Sequence, residues 1–452
     1  MSTADFPVSR RPEPNEIAGL GTTAPLGSTV IGERLRVGFI THLDQNTDTA
    51  TIYRENILLF QELEKLGYDS AWIATRHFHS GWAALPSPYA FLGAAAVATS
   101  KIGLGTAVLP IVLDDPIRVA EDVAVIDHLS GGRLILGVGK GVPSDSFHVF
   151  NAWEKDRDAN FEHKIDSLHW ALEGSQVPEG SAHIWPANAG LTGRVVHGSS
   201  NINTIRAAAV RGDGFILERF GNGGERTAEA RAGFQQRQAY SVREYRRVFH
   251  ETWGDTRTPY VVTSRTAYPG VTNAAALAEA GERAGRWNEF AAKIGRVDLT
   301  ASIPDQLLSD NFIWGTPEEL AADLLADPTI ALTDELILGI HPALHTLEET
   351  VEKARILLEE AYPLIQAGWA AQREAALAEA IRPLAPEQIR AEQERFAHER
   401  SGTVLAGTTD ASAAAPSTDA AGAVTPAHPA VSAPDAAHSA LPTTQERIST
   451  HV

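Results

Sequence analysis

At 452 residues with 43% hydrophobic side chains, the chain is long enough to bury a large core, either as two ordinary domains or as one large α/β barrel. A formal net charge of -19 argues against a surface for the phosphates of nucleic acid or an anionic membrane, since both need clustered Lys and Arg. With no cysteine there is no disulfide framework, no thiolate-ligated metal and no thiol nucleophile, so redox chemistry needs an organic cofactor or a non-thiol metal site.

Residues 1–33 are rich in Pro, Gly and Thr and read as an extended arm. Neither this arm nor any later run has the apolar stretch of an export signal or a membrane span, which leads to the expectation of a soluble cytoplasmic protein. From Arg34 onward the pattern alternates. The runs IGLGTAVLPIVL and RLILGVG are too short for packed helices and too uniformly apolar for half-exposed strands, so they read as parallel strands covered on both faces. Between them PIRVAEDVAVIDHL has helical spacing with a charged outer face.

Counted in this way, strands are expected at 34–42, 69–74, 101–109, 133–139, 193–197, 214–217, 260–266 and 335–340. Helices are expected at 52–66, 87–98, 118–129, 157–173, 203–211, 226–253, 316–325 and 347–365. Eight such units in succession most economically close into an α/β fold of the (β/α)8 TIM-barrel type spanning 34–370. Insertions at 174–190 and, longer, at 269–312 interrupt it; the second follows strand 7 at the mouth where barrel enzymes place their chemistry, and reads as a lid. A helical extension is expected over 371–400. Beyond it, 401–452 is Ala, Pro, Ser and Thr with few large apolar residues and reads as disordered.

Candidate chemistry gathers at the C-terminal ends of the strands. His42 ends strand 1, and Arg76, His77, Phe78 and His79 follow strand 2. A metal pair from His77 and His79 is disfavoured because no carboxylate stands at matching spacing. After strand 4, Gly137-Val138-Gly139-Lys140-Gly141 lacks the third glycine and the acidic residue of a dinucleotide fingerprint. It does offer close backbone approach and a point charge for a phosphate. After strand 5, Ser199, Ser200 and Thr204 stand where a helix begins, and free N–H groups with the helix dipole make an anion site. Two half-sites on one mouth point to a phosphorylated cofactor. Arg118, Glu121, Asp127 and Arg133 read as structural. Arg76 and Arg265 are candidates for an anionic substrate group, and Trp82, Trp153, Trp185 and Tyr268 for an apolar cavity.

The segments GFITHLD, GYDSAWIATRHF, GLGTAVLPIVLDDPIRVAEDVAVIDHLSGGRLILGVGKG and DSFHVFNAWEKDR, with GTPEEL near the end, resemble the bacterial luciferase-like flavin-dependent monooxygenases. The resemblance implies FMN at the barrel mouth, supplied reduced by a separate flavin reductase, and a homodimer. It implies a two-component monooxygenase that uses reduced FMN and O2, through a flavin 4a-hydroperoxide, to oxygenate a small organic substrate. By position, Lys140 matches the basic residue on the FMN phosphate, where the family has arginine, and Ser200 and Thr204 match its phosphate-contacting hydroxyls. Ala107-Val108 falls where the family has a non-prolyl cis peptide beneath the isoalloxazine. His77 matches the second histidine of the luciferase Glu-His-His-Phe motif, but Arg76 replaces the first, which argues against the light reaction. His42, Arg76 and His77 are then the expected hydrogen-bond donors or proton carriers. Two alternatives stay open: a deazaflavin-dependent hydride-transfer oxidoreductase, and a non-catalytic flavin-binding protein, which the lid insertion disfavours.

Overall fold

Eight parallel strands close on themselves in sequence order: β1 (Arg36–Thr41), β2 (Ser70–Ile73), β3 (Gly103–Thr106), β4 (Leu134–Gly139), β5 (Val195–Gly198), β6 (Gly214–Leu217), β7 (Val261–Pro269) and β8 (Glu335–Gly339), with β8 paired to both β7 and β1. The computed structural model describes residues 32–382 apart from 44–47, 79–84, 142–144, 153–155, 177–179, 181, 218, 220–227, 294–296, 309–310 and 342–344. Nearly all of the expected arm, the tail 401–452, the extension beyond 382, and His79, Trp82 and Trp153 lie outside the described residues.

The closed barrel explains why the strands read as apolar runs without alternation. Almost every strand residue is buried, because helices cover the outer face and side chains fill the inside. The interior is packed by Ile40, Trp72, Ile135, Val196, Ile216, Tyr260, Val262 and Ile337. Trp72 takes space that two neighbours surrender: a Cβ on Gly105 would lie 2.2 Å from the indole, and one on Gly38 would lie 2.8 Å from its Nε1.

Below the indole lies a buried polar floor. Glu335 accepts from Arg36 Nε at 2.8 Å, from the Tyr260 hydroxyl at 2.7 Å and from Trp72 Nε1 at 3.0 Å, and also from the Ser70 hydroxyl. A buried carboxylate is tolerated only when its lone pairs are filled in this way.

Helix boundaries follow local signals. The helix Thr49–Leu66 starts earlier than the expected 52 because Asp48 caps it, accepting from the N–H of Ala50 and Thr51, and it stops at Gly67 with φ 105°. Pro116–Ser130 likewise starts at the Asp115 cap with proline in its first turn, two residues before the apolar periodicity suggested. The last helix departs from expectation more. Leu347–Ile356 passes through a π-helical turn, Leu357–Ala361, into Tyr362–Ala380, so the final barrel helix and the start of the expected extension form one run. Pro363 has no N–H for the carbonyl four residues back, and the widened turn accommodates that loss.

The long insertion is itself folded. It carries helices Asn273–Arg283, Gly285–Lys293 and Ile303–Leu308 and a strand, Phe312–Gly315. β7 runs nine residues because its first half pairs with β8 while Thr266–Pro269 leaves the barrel and pairs with that strand. A second short strand, Leu109–Pro110, continues from β3 and pairs with Val138 and Gly139 at the end of β4. Among the described residues no helix is long and apolar enough to cross a membrane.

Candidate active site at the barrel mouth

Three glycines shape the centre of the mouth. The peptide between Ala107 and Val108, just past β3, is cis. Thr106 anchors it by donating its hydroxyl to the Gly137 carbonyl at 2.8 Å. A Cβ on Gly137 would collide with the Thr106 carbonyl, one on Gly139 would lie 2.7 Å from Val108 Cγ2, and one on Gly198 would lie 2.9 Å from Val108 Cγ1. The space that Gly139 offers is therefore filled by Val108 and not by a phosphate, and at Gly141 (φ 65°) it is filled by Pro110 and Phe147.

The cation between them, Lys140, reaches across to the helix after β5. Lys140 Nζ donates to Thr204 Oγ1 at 2.8 Å, so the half-sites after β4 and β5 converge. Thr204 lies in the first turn of the helix Ile202–Arg211, whose cap is Asn201, with Oδ1 accepting from the Asn203 N–H at 2.9 Å. Ser199 Oγ accepts from the Asn201 N–H at 3.0 Å, which shapes the loop, and Ser200 is exposed beside it. Two neighbours went unread in the sequence. Asp158, 63% exposed, holds Lys140 Nζ at 2.5 Å, and Arg157 donates to the Gly141 carbonyl at 2.6 Å. Both follow from the helix Arg157–Leu172 pointing its first turn at this loop.

The residues fit a flavin mononucleotide. A cationic side chain, a hydroxyl and a helix N-terminus meet beside a crowded, uncharged backbone platform at Ala107-Val108. The group that sits on the cation now is an exposed carboxylate, which a phosphate can displace at little energetic expense.

Across the mouth stands a second cluster. The His42 ring stacks on His341, which follows β8, with centroids 3.8 Å apart and planes at 16°. Arg219, after β6, reaches His42 Nε2 at 3.3 Å, Thr266 Oγ1 at 3.2 Å and the His341 carbonyl at 3.3 Å. Burial, then His341, Arg219 and Arg76, hold the His42 imidazole well below its ordinary pKa. Trp287, from the insertion helix Gly285–Lys293, packs its edge on His341 with centroids 5.5 Å apart. A cavity of about 60 Å3 adjoins the cluster between β1 and the helix Thr49–Leu66, with Glu55, Asn56 and His345 on its wall.

Of the expected catalytic trio, His42 and Arg76 act on one another, while His77 sits against Phe150, edge to face at 4.8 Å. Burial lowers the His77 pKa, and the Asp114 carboxylate opposes that shift. Arg265 does not reach the mouth. It is buried and doubly bonded to Asp327, with donors to Gln238 and Thr329, so it is structural and offers a substrate no charge. Tyr268 is also buried, its hydroxyl 2.8 Å from His345 Nε2, and Trp185 is 80% exposed; neither lines a central apolar cavity. Asp127 and Arg133 are structural as expected, in contact with Arg194 and with the carbonyls of Ala96, Thr99 and Ile102. Among the described residues no group of three or more His, Asp or Glu is arranged to hold a metal.

Residues 35–332 match the luciferase-like monooxygenase family along most of the barrel. The chain belongs to that family. The 4-hydroxyprotoasukamycin monooxygenase of Streptomyces nodosus subsp. asukaensis is 35% identical over 119 residues, 26% of this chain and 32% of that one. The limonene 1,2-monooxygenase of Rhodococcus erythropolis is 30% identical over 134 residues, 30% of this chain and 34% of that one. The chain thus matches about a third of the length of these relatives. Among solved structures, the monooxygenase RslO1 of Streptomyces bottropensis superposes with a TM-score of 0.59 at 20% identity, covering 73% of this chain and 99% of that one. The oxygenating constituent of 3,6-diketocamphane monooxygenase from Pseudomonas putida, solved with FMN, gives 0.56 at 16%, covering 73% and 98%. The coenzyme F420-dependent tetrahydromethanopterin reductase of Methanopyrus kandleri gives 0.53 at 17%, covering 73% and 99%. At these identities the structures speak for the fold alone.

Proposed function

We propose that this chain is the oxygenating component of a two-component, FMN-dependent monooxygenase that acts on a small organic substrate in the cytoplasm, with reduced FMN delivered by a separate reductase. The observation that carries this reading is the hydrogen bond from Lys140 to Thr204 in the first turn of a helix, beside the platform at Ala107-Val108. Bound reduced flavin would supply the electrons that activate O2, with one oxygen atom passing to the substrate and the other leaving as water.

The chain's own residues then have separable tasks. Lys140, Ser199, Ser200 and Thr204 bind the phosphate, and Ala107 and Val108 support the ring. His42 donates a hydrogen bond, with Arg76 as a fixed positive charge beside it, and His77 stands at the rim near Phe78 and Phe150. The insertion works as a lid: Trp287 packs its edge on His341, and exclusion of water is what oxygen transfer requires.

The second reading, hydride transfer with a deazaflavin, is favoured by the F420-dependent enzymes among the structural neighbours. Equilibrium titration decides between them. Preferential binding of FMN over riboflavin and over coenzyme F420 supports the monooxygenase; a preference for F420 would replace it.

A homodimer belongs to the same proposal. The helices Pro88–Ala98 and Pro116–Ser130 pack on each other and leave Val97, Val125 and Leu129 exposed on their outer faces, with the small Ala90 and Ala94 between turns. A second copy of this surface would cover them. Val125→Asp is expected to convert a dimer to a monomer in sedimentation velocity at micromolar concentration; an unchanged sedimentation coefficient would place the interface elsewhere.

A further inference from the structure

We propose that Arg219 is a positioning residue that locks His42 as the neutral Nδ1–H tautomer, making it a one-directional hydrogen-bond donor to an oxygen atom bound at the mouth. The use made of that donor rests on the monooxygenase reading; the lock itself does not.

A guanidinium has five N–H donors and no acceptor. With Arg219 Nη2 at 3.3 Å from His42 Nε2, that nitrogen must present its lone pair, which places the proton of the neutral ring on Nδ1. Among the described residues Nδ1 is buried and has no protein partner, so its N–H is held in reserve for something that binds. Arg219 is itself held in place. The Thr266 hydroxyl accepts from it at 3.2 Å while donating to the His341 carbonyl at 3.1 Å, and that carbonyl accepts from Arg219 as well. The ends of β1, β6, β7 and β8 are thereby tied around one imidazole.

Protonation of His42 would turn an N–H toward the guanidinium and place a cation flat against His341 at 3.8 Å. Among the described residues, the charged and titratable groups facing the ring are Arg219 after β6, Arg76 after β2 and His341 after β8, with Glu55 from the helix Thr49–Leu66 and His345 lining the adjoining cavity. Of these Glu55 is the one carboxylate, and it lines the adjoining cavity. A histidine kept neutral in one tautomer polarises an acceptor oxygen without becoming a competing base, the arrangement by which other barrel enzymes use a neutral imidazole.

The test uses the full chain labelled with 15N-histidine and without flavin, so it stands whether or not oxygenation is later observed. Long-range 1H–15N correlations distinguish the two ring nitrogens, and the His42 signals are identified as those missing in His42→Gln. The wild-type protein is expected to show a protonated Nδ1 and an unprotonated Nε2, with no titration at the ordinary histidine value of about 6.5. Arg219→Lys, which still only donates, should keep that pattern. Arg219→Met should release it, giving an Nε2–H ring that titrates near the ordinary value of about 6.5, with the other histidine signals unmoved. An Nε2–H tautomer or a titration near 6.5 in the wild-type protein would overturn the proposal even if Arg219→Met failed to fold. An unchanged His42 pattern in folded Arg219→Met would also overturn it.

Discussion

Replacing Lys140 by alanine is expected to weaken FMN binding by roughly 10- to 100-fold while leaving riboflavin binding within about twofold. A hydrogen bond from an ammonium to a phosphate contributes about 1.5–3 kcal/mol, and the two ligands differ only in that phosphate. The contrast between them therefore isolates the interaction from any general loosening of the mouth. Asp158 supplies an internal control of opposite sign. Its carboxylate occupies Lys140 at 2.5 Å, so Asp158→Ala should free the cation and tighten FMN. The gain is small, at most about fivefold, because an exposed ion pair is worth no more than about 1 kcal/mol. Isothermal titration of both variants with both ligands checks this. Equal losses for FMN and riboflavin in Lys140→Ala would remove the lysine from the phosphate site.

The largest effect on stability is expected at the barrel floor. Glu335→Ala removes one carboxylate from four buried donors, Arg36, Tyr260, Trp72 and Ser70. Among the described residues it leaves the Arg36 guanidinium with Asp69, at 3.7 Å, as a counter-charge. Stranding a buried charge in this way destabilises by about 3–5 kcal/mol. In a barrel of this size that corresponds to a thermal midpoint lower by roughly 4–7 °C. The double variant Arg36→Met/Glu335→Leu removes both charges and should be less destabilised than Glu335→Ala alone, since an apolar pair of similar volume commonly replaces a buried ion pair without loss. Additive losses in the double variant, measured by thermal and urea unfolding, would show that the floor acts by volume and not by charge pairing.

The barrel was legible because every strand is buried on both faces, so eight short apolar runs separated by helical periodicity left few other ways to close. The strands expected at 193–197 and 214–217 fall within two residues of those found, Val195–Gly198 and Gly214–Leu217. The meeting of Lys140 with Thr204 was legible for a related reason: both follow the C-terminal ends of neighbouring strands, where parallel topology brings them onto one face. What escaped were pairings that only closure creates. Arg219 meets His42 across 177 positions of sequence and Arg265 meets Asp327 across 62, and no local pattern announces either.

One signal for Arg265 was present. Val262 fills the barrel interior, so by strand alternation Ser264 and Thr266 share its side while Arg265 faces outward, away from the mouth. The folded character of the long insertion was also partly readable, because Thr272 caps Asn273–Arg283 in the usual way, its hydroxyl accepting from the Ala275 N–H. The close contact of Trp287 with His341 was not, because it depends on how three short helices fold back over the strand ends.

The most direct measurement is rapid mixing of the protein, loaded anaerobically with reduced FMN, against oxygenated buffer while the flavin spectrum is followed. A mouth that binds the phosphate and excludes water should delay the return of oxidised FMN and pass through a species whose absorbance differs from both the reduced and the oxidised cofactor. Immediate reoxidation at the rate of free reduced FMN, under conditions where binding is saturated, would contradict the monooxygenase account.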